Sequence, residues 1–235
     1  ATDPAVRLMD ADGNSVVDAV RSSRRHLTVF EHDPIRGWTG IPRAIPRRGD
    51  DARFPNVDFR DPRVRMADLT GDGCLDWARL YERAIEYWPS LGELRWDERQ
   101  LMTVPGPYPD RYRPERCFLA DLDGDGRADL LYLDGHRIFV WMNRGADRFA
   151  APIIIENLPV ADPDTVRLGD FLGHGTTGLL FSLGQSVRRG RAMRYVELNR
   201  GTKPYLLSRI DNGVGGLTRI EYGYSTNQFV RDREN

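Results

Sequence analysis

The sequence predicts an all-β chain, a β-propeller built from four-stranded blades, on three observations: a gapless internal repeat, short apolar runs, and turn residues spread over the whole length. Three stretches align without a gap: RLMDADGNSVVDAV from Arg7, RMADLTGDGCLDWARL from Arg65 and FLADLDGDGRADLLYL from Phe118. Counted from the first Asp of each (Asp10, Asp68, Asp121), an aromatic falls 20 residues later, as Phe30, Trp88 and Trp141. A second falls 28 residues later, as Trp38, Trp96 and Phe149. Gly92 and Gly145 stand 24 residues on, where the first copy has Pro34. A fourth, decayed copy begins at Asp170 in RLGDFLGHGTTGLLFSL, with His174 and Gly178 in place of two acids, and rejoins the pattern in YVELNRG after an apparent seven-residue insertion. Starts at 10, 68, 121 and 170 are spaced by 58, 53 and 49 residues, a period that fits propeller blades when each holds several short strands.

Within the third copy the strands read directly as 117–120, 128–133, 137–142 and 153–156, with Gly- and Asp-rich turns between them. The recurring Trp and Phe are expected to fill the space between neighbouring blades. An aromatic ligand cage is the rarer use of such residues. Blades are thus expected over 1–204, with repeats starting near 7, 65, 118 and 167. Over 205–235 the character changes: β-rich runs at 205–210 and 217–224 flank Asn212 and Gly213, which predicts a hairpin leading into a next domain. Because Gly215 and Gly216 follow, its turn should exceed two residues.

Composition sets outer bounds. With 40% hydrophobic and 10% aromatic residues in 235, the chain can bury a core, while every apolar run is too short to insert in a bilayer. A net charge of -1, from 34 basic and 35 acidic residues in close mixture, offers no basic face for nucleic acid. All the bases except Lys203 are Arg, a bias that base composition explains more simply than carboxylate recognition. Cys74 and Cys117 cannot make a disulfide framework. The amino end shows neither a signal segment nor an initiator Met and enters a repeat almost at once, so the sequence reads as an excerpt of a longer polypeptide and a larger propeller.

The Asp loops carry the candidate chemistry. In DLDGDGRAD, Asp121, Asp123, Asp125 and Asp129 occupy positions 1, 3, 5 and 9, with Gly126 at the sharp turn and Arg127 at position 7 able to offer its carbonyl. A calcium ion takes 6 to 8 oxygens at about 2.3–2.6 Å, and alternate residues of a curled loop can aim that many inward. The first loop offers Asp10, Asp12, Asn14 and Asp18, and the second Asp68, Asp72 and Asp76 with Thr70 as a weaker oxygen. The fourth, with Leu172, His174 and Gly178, lacks the ligands. No copy is flanked by helices or has Glu at position 12, so a hydrogen-bonded turn without an ion competes with the calcium reading. The third loop has the best ligand set for calcium, the first stands between the readings, and the second leans to the plain turn.

Catalytic signals are sparse. Four His occur, and His32 beside Asp33 is the best acid/base pair, in a position typical of solvated turn residues. Neither a nucleophile elbow nor a phosphate loop is present. The expectation is a non-enzymatic module.

The units RMADLTGDGCLDWARL and FLADLDGDGRADLLYL resemble the FG-GAP/VCBS repeats also found in integrin α-chain propellers. The stretches IEYWPSLGELRW and NRGTKPYLLSRIDNGVGGLTRIEYGYSTNQFVRD further resemble the B component of bacterial toxin complexes, the TcdB/SpvB-type insecticidal toxins, in the middle/N-terminal region. That resemblance implies a secreted assembly in which the propeller docks on the A-component translocation channel. It also implies gating of a toxic effector held in an RHS-repeat shell with the C component. A complete family propeller has more blades than the three sound copies and one decayed copy seen here. The competing class is a secreted or surface adhesin or lectin-like propeller that binds glycans or matrix proteins, and an enzyme using its loops is a weaker third. The NGVGG hairpin favours the first, since a stand-alone adhesin has no need of it.

Partner contacts are expected where the repeats differ, in 41–60 and 103–116, which are rich in Pro and Arg. Tyr108, Tyr112 and Arg113 are the named candidates.

Overall fold

The computed structural model describes residues 3–38, 40–47, 49, 51–183, 193–199 and 203–234. They divide into two units, one of Ala1–Ala120 with Gly126–Leu158 and one of Asp121–Asp125 with Pro159–Asn235.

The first unit holds three antiparallel four-stranded blades, each running in chain order. The first is β1 (Val6–Met9), β2 (Asp18–Ser22), β3 (His26–Phe30) and, after the short pair β4 (His32–Asp33) and β5 (Gly37–Trp38), β6 (Arg43–Pro46). The second is β7 (Val64–Ala67), β8 (Asp76–Leu80), β9 (Ala84–Trp88) and β10 (Gln100–Thr103). The third is β11 (Cys117–Ala120), β12 (Asp129–Asp134), β13 (Arg137–Trp141) and β14 (Ile153–Ile155), within a residue or so of the expected strands. In the second unit β15 (Val166–Gly169), β16 (Gly178–Ser182) and β17 (Met193–Val196) form a three-stranded sheet. The all-β propeller fold expected from the repeat is borne out. Most of the apparent insertion of the fourth copy, and Gly201, lie outside the described residues.

The register repeats with the sequence. His32 pairs Trp38, Ser90 bridges Trp96 and Asn143 bridges Phe149, all antiparallel, so the second aromatic of each copy closes the same small turn. Gly92 and Gly145 sit inside that turn at φ 73° and 65°, which a Cβ disfavours. Pro34 cannot adopt such a φ, and in the first blade Gly37 supplies the positive φ instead, at 78°.

Two apolar clusters form between successive blades. Trp77, Trp88 and Trp96 pack against Met9, Ala11, Val20 and Val29 of the first blade. Trp141 and Phe149 pack against Ala67, Leu69, Ala78 and Tyr87 of the second. Trp77 and Trp96 meet edge to face, with ring centroids 5.0 Å apart.

An Arg three residues before the first Asp adds a polar staple that the sequence reading missed. Arg7 Nη1 donates to the Pro4 and Val6 carbonyls, at 2.9 and 3.0 Å, and Nη2 reaches Phe59 O at 2.6 Å, just before the next blade. Arg65 repeats this on Pro62 and Val64 and reaches Pro114 O, at 2.8 Å, and Cys117 O. In the second unit Arg167 bonds Asp164 O and Val166 O in the same way.

The C-terminal hairpin is shorter than expected: β18 (Arg209–Asp211) pairs β19 (Leu217–Arg219). Asn212 Oδ1 takes the N–H groups of Val214 and Gly216, which ends the strands early and gives the long turn. A helix, α1 (Ser225–Glu234), follows; the sequence reading held no helix there. Among the described residues no helix is long and apolar enough to cross a membrane.

Burial orders the aromatics by consequence. Trp96→Ala should lower the unfolding free energy by about 3–5 kcal/mol, as for other buried large-to-Ala changes. Trp38→Ala, at a site 55% exposed, should change it by less than about 1 kcal/mol. Urea unfolding of the two variants checks this.

Candidate functional site

Each loop is closed by its first Asp. Asp10 Oδ1 accepts the N–H groups of Gly13 (2.8 Å) and Asn14 (3.1 Å), and Oδ2 that of Ser15 (2.7 Å). Asp68 does the same for Gly71 (2.6 Å), Asp72 (3.3 Å) and Gly73 (2.7 Å), and Asp121 for Gly124 (2.7 Å) and Asp125 (3.2 Å). Asp170 keeps the pattern with His174 (2.9 Å) and Gly175 (2.7 Å). A side-chain carboxylate thus satisfies successive backbone donors in all four copies, including the one without the other acids.

The ninth position has a different task. Asp18, Asp76 and Asp129 are 1%, 0% and 1% exposed. Each accepts the N–H of the residue 14 positions later: Asp18 from His32 (2.9 Å), Asp76 from Ser90 (2.8 Å) and Asp129 from Asn143 (2.7 Å). Those are the residues that close the small turn with the second aromatic. Asp18 also takes Ala11 N, and Asp76 takes Leu69 N and Thr70 N. The carboxylate therefore ties the loop to the turn beyond the third strand.

The remaining acids differ from loop to loop. In the first loop, carboxylate oxygens of Asp10, Asp12 and Asp18 lie within 4.8 Å of one another. Asp12 bonds Asn14 through both oxygens, and Asn14 Oδ1 takes Val16 N. Burial first, with the charges of Asp18 and Asp10 among the further causes, pushes the Asp12 carboxyl above its ordinary range. This crowding of acids is what a divalent cation would relieve, so the donor set fits calcium. In the second loop the acids do not converge this way among the described residues; Thr70 Oγ1 donates to Asp68, and Asp72 takes Cys74 N. The third loop is where the chain passes between the units. Asp121, Asp123 and Asp125 belong to the second, where Asp123 accepts Asp125 N and the Tyr205 hydroxyl, while Arg127 and Asp129 belong to the first.

The pair His32–Asp33 is a turn. Asp33 Oδ1 caps Ile35 N and Arg36 N, both at 2.8 Å, and those bonds hold its carboxyl below the ordinary range. The His32 ring lies on Trp38, 4.9 Å between centroids.

The candidate contact residues divide by role. Tyr108 and Tyr112 are half-buried against the core between the second and third blades. Tyr108 donates to Val104 O (2.8 Å), and Tyr112 stacks on Tyr132, 5.8 Å between centroids. Arg113 N donates to the Tyr132 hydroxyl, but its side chain, like that of Arg111, is exposed. Tyr112 fastens 103–116 to the third blade and Tyr108 packs against the core beside it, while the side chains of Arg111 and Arg113 are exposed. Of 41–60, residues 48 and 50 lie outside the described residues.

A scaffold of propeller blades with aspartate-closed loops is the class that this geometry defines. Residues 143–235 match the family model of the insecticide toxin TcdB middle/N-terminal region. Among solved structures, the chain is similar to one from the Photorhabdus luminescens Tc holotoxin pore, with 23% identity and a TM-score of 0.69 over 91% of this chain and 10% of that one. It is similar to a chain of the TcdB2-TccC3-Cdc42 crystal structure, with 16% identity and a TM-score of 0.63 over 97% and 16%. An Agrocybe aegerita lectin structure, on recognition of non-reducing terminal N-acetylglucosamine, follows with 17% identity and a TM-score of 0.51 over 74% and 45%. At such identities these likenesses speak for the fold. A search of curated proteins gives no match. The expected resemblance to the TcdB-type B component of toxin complexes is borne out over residues 143–235, where the family model matches. The chain spans about a tenth to a sixth of the toxin chains it matches.

The buried acid gives a pH test. Burial is the main cause that raises the Asp76 carboxyl from 3.8 to about 6, against the N–H bonds from Ser90, Leu69 and Thr70. The folded chain holds this proton where the unfolded chain has released it, so between about pH 4 and 6 the group makes stability fall as pH rises. Asp76→Asn should remove that slope and, by unpairing buried N–H groups, lower the unfolding free energy by about 1–3 kcal/mol. The exposed Asp72→Asn should shift it by less than about 0.5 kcal/mol. Urea unfolding across that pH range reads both.

Proposed function

We propose that the chain is a non-catalytic, protein-binding propeller module of a toxin-complex B component. In this reading it docks on the translocation channel of the A component, in a secreted assembly. It gates the passage of a toxic effector held in the RHS shell with the C component. The observation that carries the reading is the match of residues 143–235 to the TcdB middle/N-terminal region, on a fold shared with chains of a Tc holotoxin pore and of TcdB2-TccC3 crystals. The chemistry of the loops supports it: their first and ninth carboxylates are committed to backbone N–H groups, and His32–Asp33 is a capped turn. Such groups hold a shape, and a rigid shape with variable loops suits protein recognition. The lectin likeness adds only the fold to the adhesin alternative.

Exposed Arg111 and Arg113, on a segment fastened by Tyr112, are the proposed contacts. In the B component, Arg111→Glu with Arg113→Glu should weaken binding to the A-component channel at least tenfold in a pull-down or interferometry titration, with the melting temperature unchanged. Undiminished binding by a folded variant would remove this segment from the interface, and substrate turnover by the chain would overturn the non-catalytic reading.

Calcium belongs to the same proposal as a structural ion. Asp10, Asp12 and Asp18, with Asn14, would hold it in the first loop, and Asp121, Asp123 and Asp125 carry the same proposal in the third. An ion that binds only the folded chain stabilises it by mass action. Saturating calcium should therefore raise the melting temperature relative to chelator, and Asp12→Asn should reduce the rise; an identical melting temperature in both would leave the first loop a plain turn.

A further inference from the structure

The turn between β18 and β19 holds the single Asn–Gly pair of the chain, Asn212–Gly213. An Asn followed by Gly is open to attack on its side-chain amide by the next peptide nitrogen, because glycine puts no side chain in the way. Attack at Cγ closes a cyclic imide. Asn14, Asn56, Asn143 and Asn157 are followed instead by Ser15, Val57, Arg144 and Leu158.

The folded turn arranges further groups around this pair. Gly213 N donates to Asp211 Oδ1 at 3.0 Å. That bond first, and then Arg209 at 3.0 Å from Oδ2, hold the Asp211 carboxyl below its ordinary range, so it is an anion at neutral pH. An anionic acceptor draws the proton away from the nitrogen that must become the nucleophile. On the other reactant, Asn212 Oδ1 accepts Val214 N at 3.0 Å and Gly216 N at 2.8 Å. These two donors stand where negative charge collects once a nitrogen has added to Cγ, as in an oxyanion hole. Asn212 N donates to Gly216 O at 3.1 Å and closes the turn. A Cβ at Gly216 would collide with the Asn212 amide, so this glycine lets the side chain lie inside the turn. Every group named belongs to the hairpin, and the arrangement is local to it.

We propose that Asn212–Gly213 is a self-modification site, where the hairpin's own groups convert the Asn212 amide to a cyclic imide and then to aspartyl and isoaspartyl products. The bond from Gly213 N to Cγ forms, the Cγ–Nδ2 bond breaks, and the Gly213 proton, relayed through Asp211, leaves with the amide group as ammonia. Solvent water, which reaches the exposed turn, then opens either carbonyl of the imide. Nothing is oxidised or reduced. In the isoaspartyl product the main chain runs through the former side chain, which draws Oδ1 into the backbone and away from Val214 N and Gly216 N. The pairing of β18 with β19 depends on that turn, so the reaction is a one-way change in the segment after the fourth sheet. It stands independently of the proposed docking on a channel.

Peptide mapping by mass spectrometry, on the chain aged at neutral pH in heavy-oxygen water, tests the proposal. Aspartyl and isoaspartyl forms at position 212 should accumulate together, each carrying heavy oxygen, at least tenfold faster than at Asn14. Asn14 is the internal benchmark, because its Oδ1 also accepts an N–H two residues on, from Val16 at 2.7 Å, while Ser15 follows it. The folded chain should convert about threefold faster than the chain unfolded in urea, and Asp211→Ala should lower the folded rate by about as much with the melting temperature unchanged. Arg209→Ala leaves the acceptor in place and should keep the rate of the unaltered chain. An Asn212 that stays intact, a folded rate equal to or below that in urea, or an Asp211→Ala rate equal to that of the unaltered chain would each overturn the proposal. So would an aspartyl product without its isoaspartyl companion, since direct hydrolysis of the amide passes through no imide.

Discussion

The buried carboxylate at the ninth loop position is the constraint on which each blade depends. A strand, a tight loop, two strands and a small turn must be held in one plane, and hydrogen bonds of the sheet fix only the strands. Asp18, Asp76 and Asp129 cover the remaining gap, each accepting an N–H 14 residues ahead. Asp18 and Asp76 also accept one seven residues behind. Bonds from neutral donors to a charged acceptor are worth about 1.5–3 kcal/mol each, more than an ordinary backbone bond, and they offset part of the desolvation that raises the Asp76 carboxyl. An apolar residue of equal size would leave the turn amides unpaired.

From that plane the packing between blades follows. The turn held by the carboxylate carries the second aromatic of each copy, so fixing Ser90 and Asn143 also aims Trp96 and Phe149 at the preceding blade. Arg7 and Arg65 then work on the opposite side of the sheet order, from the first strand to the carbonyls that lead into the next blade. Apolar contact and a charged donor thus join the same two blades at different ends. Burial pulls the Arg65 guanidinium pKa below its ordinary value, so its bonds to Pro114 O and Cys117 O are made in a desolvated setting where they are strong.

The repeat made the blades and their aromatics legible because period and residue size are both visible in a sequence. Strand ends in the third copy came from short apolar runs and the Gly- and Asp-rich turns between them, and they fall within a residue or so of β11 to β14. What lay hidden was the division of labour among identical residues. Asp10, Asp12 and Asp18 look alike as letters, yet one closes a turn, one stands among its neighbours' charges and one is buried as a tie. Only their three-dimensional partners separate them. The Arg three residues before the first Asp was readable in three copies, Arg7, Arg65 and Arg167, but in a chain so rich in Arg it did not stand out. The core partners of Tyr108 and Tyr112, Val104 and Tyr132, are recognised only once the Pro-rich segment folds back.

The decayed fourth copy separates loop shape from ligand chemistry. Asp170 is retained and still caps His174 N and Gly175 N, so the turn forms with the acids at positions 3, 5 and 9 all lost. At position 5, His174 instead pairs Glu197 at 2.7 Å and stacks on Tyr224, 4.3 Å between ring centroids. At position 9, Gly178 leaves room for the Tyr195 ring, which lies where any Cβ would project. A carboxylate there could not coexist with that ring. The first Asp is therefore required by the backbone whatever else the loop does, and aromatic packing can take over the space of the remaining acids.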